Sequence, residues 1–258
     1  MKLISLNIWG GHEYEALRSF ILDNKDCDIF CFQEVYTFSK PLISRGTRLN
    51  IFEDIQTWLP LHQPFFFPIQ DNIDEEGATS IPATFGQAFF IKKDIEVKEK
   101  GFIFTYRERN SLINDDWAAL GAGFQYVKLN TQNGPIAVLS IHGNSRPGDK
   151  LDTPERLAQS QKIQEFLNMV SGPKIICGDF NLMPETQSIK ILEKDMRNLI
   201  KEFEIKDTRG EVNARKYPGA ELQKFSDYAF VSPDIKVISF QVPNIPVSDH
   251  LPLIIEFT

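Results

Sequence analysis

Short apolar, β-branched runs recur along this chain, and many of them end abruptly on a polar residue. Lys2 to Ile8, Asp28 to Gln33, Pro64 to Ile69, Phe85 to Ile91, Gly121 to Leu129 and Ile136 to Ile141 have the length and composition of strands. Lys174 to Cys177, Asp227 to Val231, Ile235 to Val242 and Leu253 to Phe257 complete that set. Helical patterns alternate with them. Tyr14 to Lys25 carries Leu17, Phe20 and Ile21 at helical spacing, and Arg48 to Leu59 gathers Ile51, Phe52, Ile55, Trp58 and Leu59 on one side before Pro60 stops it. A longer helix starts with Thr153 as N-cap and Pro154 at its first position, with Ile163, Phe166, Leu167 and Val170 facing inward. The class is therefore mixed helix and sheet. Asp71 to Thr84 and Arg209 to Lys224 read as surface loops. No linker, composition break or short-period repeat interrupts residues 1–258, which are expected to form one domain.

Composition narrows the partners. The chain has 28 Lys and Arg against 35 Asp and Glu, a formal charge of -7, which disfavours a basic protein gripping long duplex nucleic acid. A local basic pocket is still compatible with that balance, because only the field at the site matters. Met1 to Leu6 runs into polar Asn7 without the long apolar core of a signal peptide, and no stretch approaches the ~20 apolar residues of a spanning helix. Cys27, Cys31 and Cys177 cannot all pair within one chain, so buried thiols and a cytoplasmic protein are expected.

The residues that end the strands carry the chemistry. Gly178-Asp179-Phe180-Asn181 follows the apolar run Ile175-Ile176-Cys177; a strand ending there turns Asp179 and Asn181 to one side and Phe180 to the other. A carboxylate and an amide held together at a sheet edge can orient a water and a phosphoryl oxygen, although an Asp/Asn turn after a strand has the same sequence. Ser248-Asp249-His250 precedes the last strand: Asp249 offers hard oxygens to a cation, and His250 can act as acid, base or phosphate-polarising donor. Asp227 opens its strand and is placed to orient His250. Asn7, Glu34 and His142 stand at the ends of three further strands. Each alone fits a solvated strand end. Together, strand ends of stacked sheets converge in space, and an oxygen-rich set of this kind suits Mg²⁺ or Mn²⁺ better than zinc.

The ordered series Asn7, Gln33-Glu34, His142, Gly178-Asp179-Phe180-Asn181, Ser226-Asp227 and Ser248-Asp249-His250 resembles the endonuclease/exonuclease/phosphatase superfamily, over residues 3 to 257. The resemblance implies an α+β, four-layer α/β/β/α sandwich: two packed mixed sheets flanked by helices, with the site at one end. It implies Glu34 as principal ligand of a catalytic Mg²⁺ (Mn²⁺ substituting), with Asn7 and Asp249 close by. It further implies Asp179 as the group that positions or deprotonates the attacking water and Asn181 as a phosphoryl binder. His250, oriented by Asp227, would contact the scissile phosphate, and His142 would stabilise developing charge. The reaction implied is hydrolysis by in-line attack of water at phosphorus. Leu6-Asn7-Ile8-Trp9-Gly10 departs from the repair-nuclease pattern and is closer to neutral sphingomyelinase-like members; Trp9 removes a possible second acidic ligand. His142-Gly143-Asn144 through Asp152-Thr153-Pro154-Glu155-Arg156 is similar to an uncharacterised bacterial subgroup.

Arg146 and Lys150 follow His142 closely and are candidates for binding a substrate phosphate, against the alternative of solvated loop charge. Arg215, Lys216 and Lys224 lie in the loop before Asp227. His12 and His62 have no partner in the sequence and receive no role. Pro64 to Pro68, with three phenylalanines in a row, reads as a strand and not as a membrane wedge. The leading expectation is a metal-dependent phosphoesterase acting on a small-molecule, nucleotide or lipid-headgroup phosphoester. A nuclease acting on DNA or RNA and a catalytically silent binding protein are the competing expectations.

Overall fold

The computed structural model describes residues 1–113, 115–216, 218 and 222–258. Its two main sheets have six strands each. The first is built from β1 (Lys2–Asn7), β2 (Ile29–Thr37), β3 (His62–Asp71), β4 (Thr84–Lys92), and the late strands β11 (Val237–Gln241) and β12 (Leu253–Phe257). The second holds β5 (Glu96–Tyr106), β6 (Ala122–Thr131), β7 (Gly134–His142), β8 (Lys174–Asp179), β9 (Arg197–Asn198) and β10 (Asp227–Val231). Spatial order is β11-β12-β1-β2-β4-β3 in one and β9-β10-β8-β7-β6-β5 in the other.

Each sheet contains one central parallel pair, β1/β2 and β7/β8, flanked by antiparallel neighbours. A parallel pair needs a crossover, and a helix supplies it both times: α1 (Tyr14–Asp23) between β1 and β2, α3 (Pro154–Met169) between β7 and β8. The central strands are buried on both faces, which explains their near-continuous apolar runs. In β1 and β2, Leu3, Ile29 and Cys31 turn into the space between the sheets. Ile4, Leu6, Phe30 and Phe32 turn outward onto Leu17 and Ile21 of α1 and Ile51 and Ile55 of α2 (Ile51–Trp58). On the opposite side Ile163, Phe166 and Leu167 of α3, capped by the Thr153 side chain at Arg156 N, cover the second sheet. The result is the four-layer sandwich.

Several expectations need correction. β5 is an eleven-residue strand where the sequence pattern predicts none. It lies at a sheet edge, and its charged Lys-Glu-Lys start hides any apolar alternation. Asp71 to Thr84 is not a plain loop: Ile73–Asp74 pairs with Gly77–Ala78, and Ile73 is fully buried. Arg209 to Lys224 contains a further helix, α5 (Glu211–Lys216), after α4 (Gln187–Glu193). Val170 follows α3 instead of belonging to it, and is buried all the same.

Candidate active site

Both parallel pairs end at the same place. Asn7 pairs in register with Gln33, and His142 with Asp179, so the carboxyl edges of the two central pairs face one another. Open sheets generally expose ligand sites at that edge. A slip in register between Phe32 and Val35 takes Gln33 and Glu34 out of the regular β2/β4 ladder, and Glu34 adopts a left-handed backbone with φ 54°. Such a bulge re-aims a side chain. It leaves Gln33 in the interior, where its Nε2 donates to Ser140 Oγ across the sheets at 2.8 Å, and sends Glu34 into the cleft. The cleft encloses about 530 Å³.

The predicted residues meet there with short separations. Asn7 Nδ2 donates to Glu34 Oε1 at 2.9 Å and to Asp179 Oδ2 at 3.2 Å, tying the two carboxylates together from the first sheet. His142 Nε2 lies 3.5 Å from Glu34 Oε1 and 3.9 Å from Asp179 Oδ2. His250 Nδ1 is 2.8 Å from Asp227 Oδ2, and its Nε2 is 3.6 Å from Asp179 Oδ2. Asp227 is in register with Asp179, which is why one histidine reaches both carboxylates. Asn181, in a left-handed turn with φ 55°, donates its backbone N–H to Asp179 Oδ1 and its Nδ2 to Gly143 O. Phe180 between them is fully buried.

Asp179 is the hub. Burial works against its charge, but the attraction of His250, Lys150 and His142, with a 2.5 Å hydrogen bond from Ser226 Oγ, holds its pKa far below the usual carboxylate range. Asp227 goes the other way, raised chiefly by burial. Lys150 is 9% exposed and donates to Ser226 Oγ at 2.5 Å; burial brings its pKa down to about 8 against the pull of Asp179. Arg146 is exposed at the rim of the cleft.

Asp249 departs from the expected set. The ligand atoms of Glu34, His142 and Asp179 lie within 4.8 Å of one another, as do those of Asp179, Asp227 and His250. Asp249 falls in neither group. Its Oδ2 accepts instead from Arg209 Nη2 at 3.3 Å and Lys216 Nζ at 3.1 Å. Burial opposes its charge, and His250, Arg209 and Lys216 together lower its pKa well below normal.

Two residues of the cleft, Arg209 and Glu75, are not marked by the sequence. Arg209 touches His250 Nε2 and donates to Asn213 Oδ1 at 2.7 Å. Glu75, from the short hairpin, accepts from Trp9 Nε1 at 3.3 Å and pairs with His12 at 2.7 Å. His12 is therefore not partnerless: it also stacks on Trp9 with ring centres 3.9 Å apart. His62 bonds Cys27 O at 2.8 Å, away from the cleft. Arg209 stands two residues before α5, and within α5 Asn213 and Lys216 stand three apart and share a face.

The donor set fits a hard divalent cation. Two carboxylates from different sheets are brought to one imidazole and one amide, so a seat for positive charge exists between Glu34 and Asp179. A sandwich whose carboxyl edges join carboxylates, an Asp–His pair and lysine and arginine side chains in one cleft defines a phosphoester-handling protein. The sequence pattern of the Endonuclease/Exonuclease/phosphatase family matches residues 4–250. The chain belongs to that family and is a metal-dependent hydrolase acting on phosphate ester bonds. Among solved structures it is similar to a mannosyl-6-phosphatase of Bacteroides thetaiotaomicron VPI-5482, with TM-score 0.73 and 17% identity over 100% of this chain and 99% of that one. It is also similar to the human Nocturnin catalytic domain with bound sulfate, with TM-score 0.68, 20% identity, and coverage of 100% and 93%. A family protein from Leptotrichia buccalis C-1013-b gives TM-score 0.69 at 17% identity, covering 100% and 99%. No curated protein sequence matches the chain. Among the described residues, no helix is long and apolar enough to cross a membrane.

Proposed function

We propose that this protein is a Mg²⁺-dependent phosphoesterase (Mn²⁺ substituting) that hydrolyses a compact phosphoester by in-line attack of water. The observation that carries the reading is the convergence of Asn7, Glu34, His142 and Asp179 from two parallel pairs onto one cleft beside the Asp227–His250 pair. Glu34 would hold the cation, with Asn7 bridging it to Asp179. When bound, the dication supplies charge that offsets negative charge building on the phosphoryl oxygens. Asp179, kept ionised by its neighbours, is proposed to position or deprotonate the attacking water, its depressed pKa favouring the positioning role. His250 faces the phosphate through Nε2 while Asp227 holds Nδ1, and His142 and Asn181 stabilise phosphoryl oxygens. Asp249 serves chiefly as anchor for Arg209 and Lys216. Arg146 and Lys150 are proposed to bind substrate phosphate.

A small substrate is favoured over nucleic acid because a net charge of -7 leaves little for a continuous basic track. The first-named neighbour's activity on a sugar phosphate is consistent with that size. Three buried free cysteines accord with a reducing, cytoplasmic setting. The test is hydrolysis of a generic aryl phosphoester with Mg²⁺, abolished by EDTA and by Glu34→Ala. Undetectable turnover across nucleotides, nucleic acids, phosphoinositides and phospholipids would overturn the reading in favour of a silent binding protein.

A further inference from the structure

The two oxygens of Asp179 have different neighbours. Oδ1 accepts from Ser226 Oγ at 2.5 Å and from the Asn181 backbone N–H at 2.9 Å. Oδ2 faces the groups assigned to the reaction: Asn7 Nδ2 at 3.2 Å, His250 Nε2 at 3.6 Å and His142 Nε2 at 3.9 Å. A carboxylate does not set this division by itself. The terminal torsion of aspartate is broad and roughly two-fold, so external hydrogen bonds decide which oxygen points where.

The bond from Asn181 is local, of the kind an Asp/Asn turn makes anywhere. The other donor comes from outside β8. Ser226 directly precedes β10 and is fully buried. Its backbone N–H donates to Thr208 Oγ1 at 3.1 Å, and its carbonyl accepts from Phe180 N at 2.9 Å, so the side chain has a fixed origin beside Asp179. A hydroxyl still has one proton that it can turn in several directions. Lys150 removes that choice. Its Nζ donates to Ser226 Oγ at 2.5 Å, and an ammonium has no lone pair to offer in return. The Ser226 proton therefore goes to Asp179, whose carboxylate only accepts. The hydrogen bonds run one way, from Lys150 to Ser226 to Asp179. Lys150 keeps its remaining N–H donors for the cleft that it lines.

We propose that Ser226, with its proton aimed by Lys150, is a positioning residue that fixes the Asp179 carboxylate and reserves Oδ2 for the attacking water. This rests on the phosphoesterase reading and adds to it a residue that acts through Asp179 alone. The consequence is kinetic. A carboxylate turned off its line misplaces the water, and an error of about 1 Å at a reacting group costs up to about 10²-fold in rate.

The test is Ser226→Ala at pH 7 with Mg²⁺ and 4-nitrophenyl phosphate or its bis ester, whichever the parent turns over. Expected is a fall in kcat of about tenfold to a hundredfold with KM within about threefold of the parent, a split that general loosening of the cleft would not give. Lys150→Met also loses a phosphate contact, so it should raise KM. It should lower kcat about fivefold in the parent but less than about twofold in Ser226→Ala, where the chain is already cut. Thermal unfolding shows that the fold is retained. Should Ser226→Ala fail to fold, Ser226→Cys, a weak donor of similar size, takes its place with the same thresholds. The proposal is overturned by a kcat within about threefold of the parent, by a KM that changes as much as kcat, or by equal kcat losses from Lys150→Met with and without the Ser226 hydroxyl. A parent protein that hydrolyses no phosphoester sinks the phosphoesterase reading separately. Crystal structures of the parent and of Ser226→Ala then decide the positioning: an Asp179 carboxylate turned by more than about 30° sustains it, and an unturned one overturns it.

Discussion

Glu34 occupies a left-handed conformation, which costs an L-residue about 1–2 kcal/mol. Strain of this kind persists where surrounding structure enforces it, and here the register slip in β2 does so. Glu34→Gly removes the penalty along with the carboxylate. The expected outcome is a thermal midpoint at or above that of the parent together with loss of hydrolysis; a clear fall in the midpoint would show that the conformation carries no strain. At His250, Asp227 Oδ2 holds Nδ1 at 2.8 Å and fixes the ring, which brings Nε2 to 3.6 Å from Asp179 Oδ2. Asp227→Asn should cut kcat by roughly 10²–10⁴ with the fold retained; a kcat within about threefold of the parent would show that the pair does not act together. Lys150 makes a third case. Burial depresses its pKa to about 8, so its charge is lost as pH rises through that value, well below an exposed lysine. KM for a phosphoester should climb above about pH 8, and Lys150→Met should abolish the climb. The same shift makes the unfolded chain the better proton binder between about 8 and 10.5, so this group's contribution to stability grows with pH across that window.

At the scale of elements, the loop from β7 to α3 depends on a buried cation. Arg156 is fully buried and donates to Asn144 O at 3.2 Å and Leu151 O at 2.6 Å, with further contacts to Pro147 O and Asp149. It thus fastens the segment that presents Arg146 and Lys150. Arg156→Met would strand several carbonyls, and a loss of about 3 kcal/mol is expected, read as a fall in thermal midpoint of roughly 6–12 °C. Amide exchange should accelerate over residues 144–151 more than elsewhere; uniform change would show that Arg156 supports only the core. The sequence placed Arg156 within a motif without indicating its burial, because a guanidinium's fate depends on carbonyls that only the folded loop brings together. Central strands were legible since double-sided burial leaves continuous apolar runs, and Asn7, Glu34, His142, Asp179 and His250 stood out as polar ends of such runs. What escaped was set by non-local geometry. β5 pairs at an edge and keeps its charges, α5 is too short for a clear period, and Asp249 lies beside Arg209 and Lys216 only through the return of its loop.

For the molecule as a whole, the question is which charge a substrate meets. The chain carries -7, yet the described carboxylates and cations of the cleft lining balance in number, so the excess acidity lies outside it. A long polyanion must pass over that outer surface, whereas a compact phosphoester meets mainly the cleft. Salt distinguishes the two. A ligand engaging six to ten phosphate contacts loses about 10³–10⁵ in affinity between about 50 and 200 mM salt. One or two phosphate contacts in the cleft should cost no more than about tenfold over the same range. The expected result is a shallow dependence of kcat/KM on salt for an aryl phosphoester, with weak and steeply salt-sensitive binding of DNA and RNA oligomers. Tight oligomer binding that survives 200 mM salt, with turnover of the polymer exceeding that of the small ester, would shift the substrate class to nucleic acid. The comparison is strongest when ionic strength is varied at fixed pH near 7, below the titration of Lys150, so that the cleft keeps one charge state throughout.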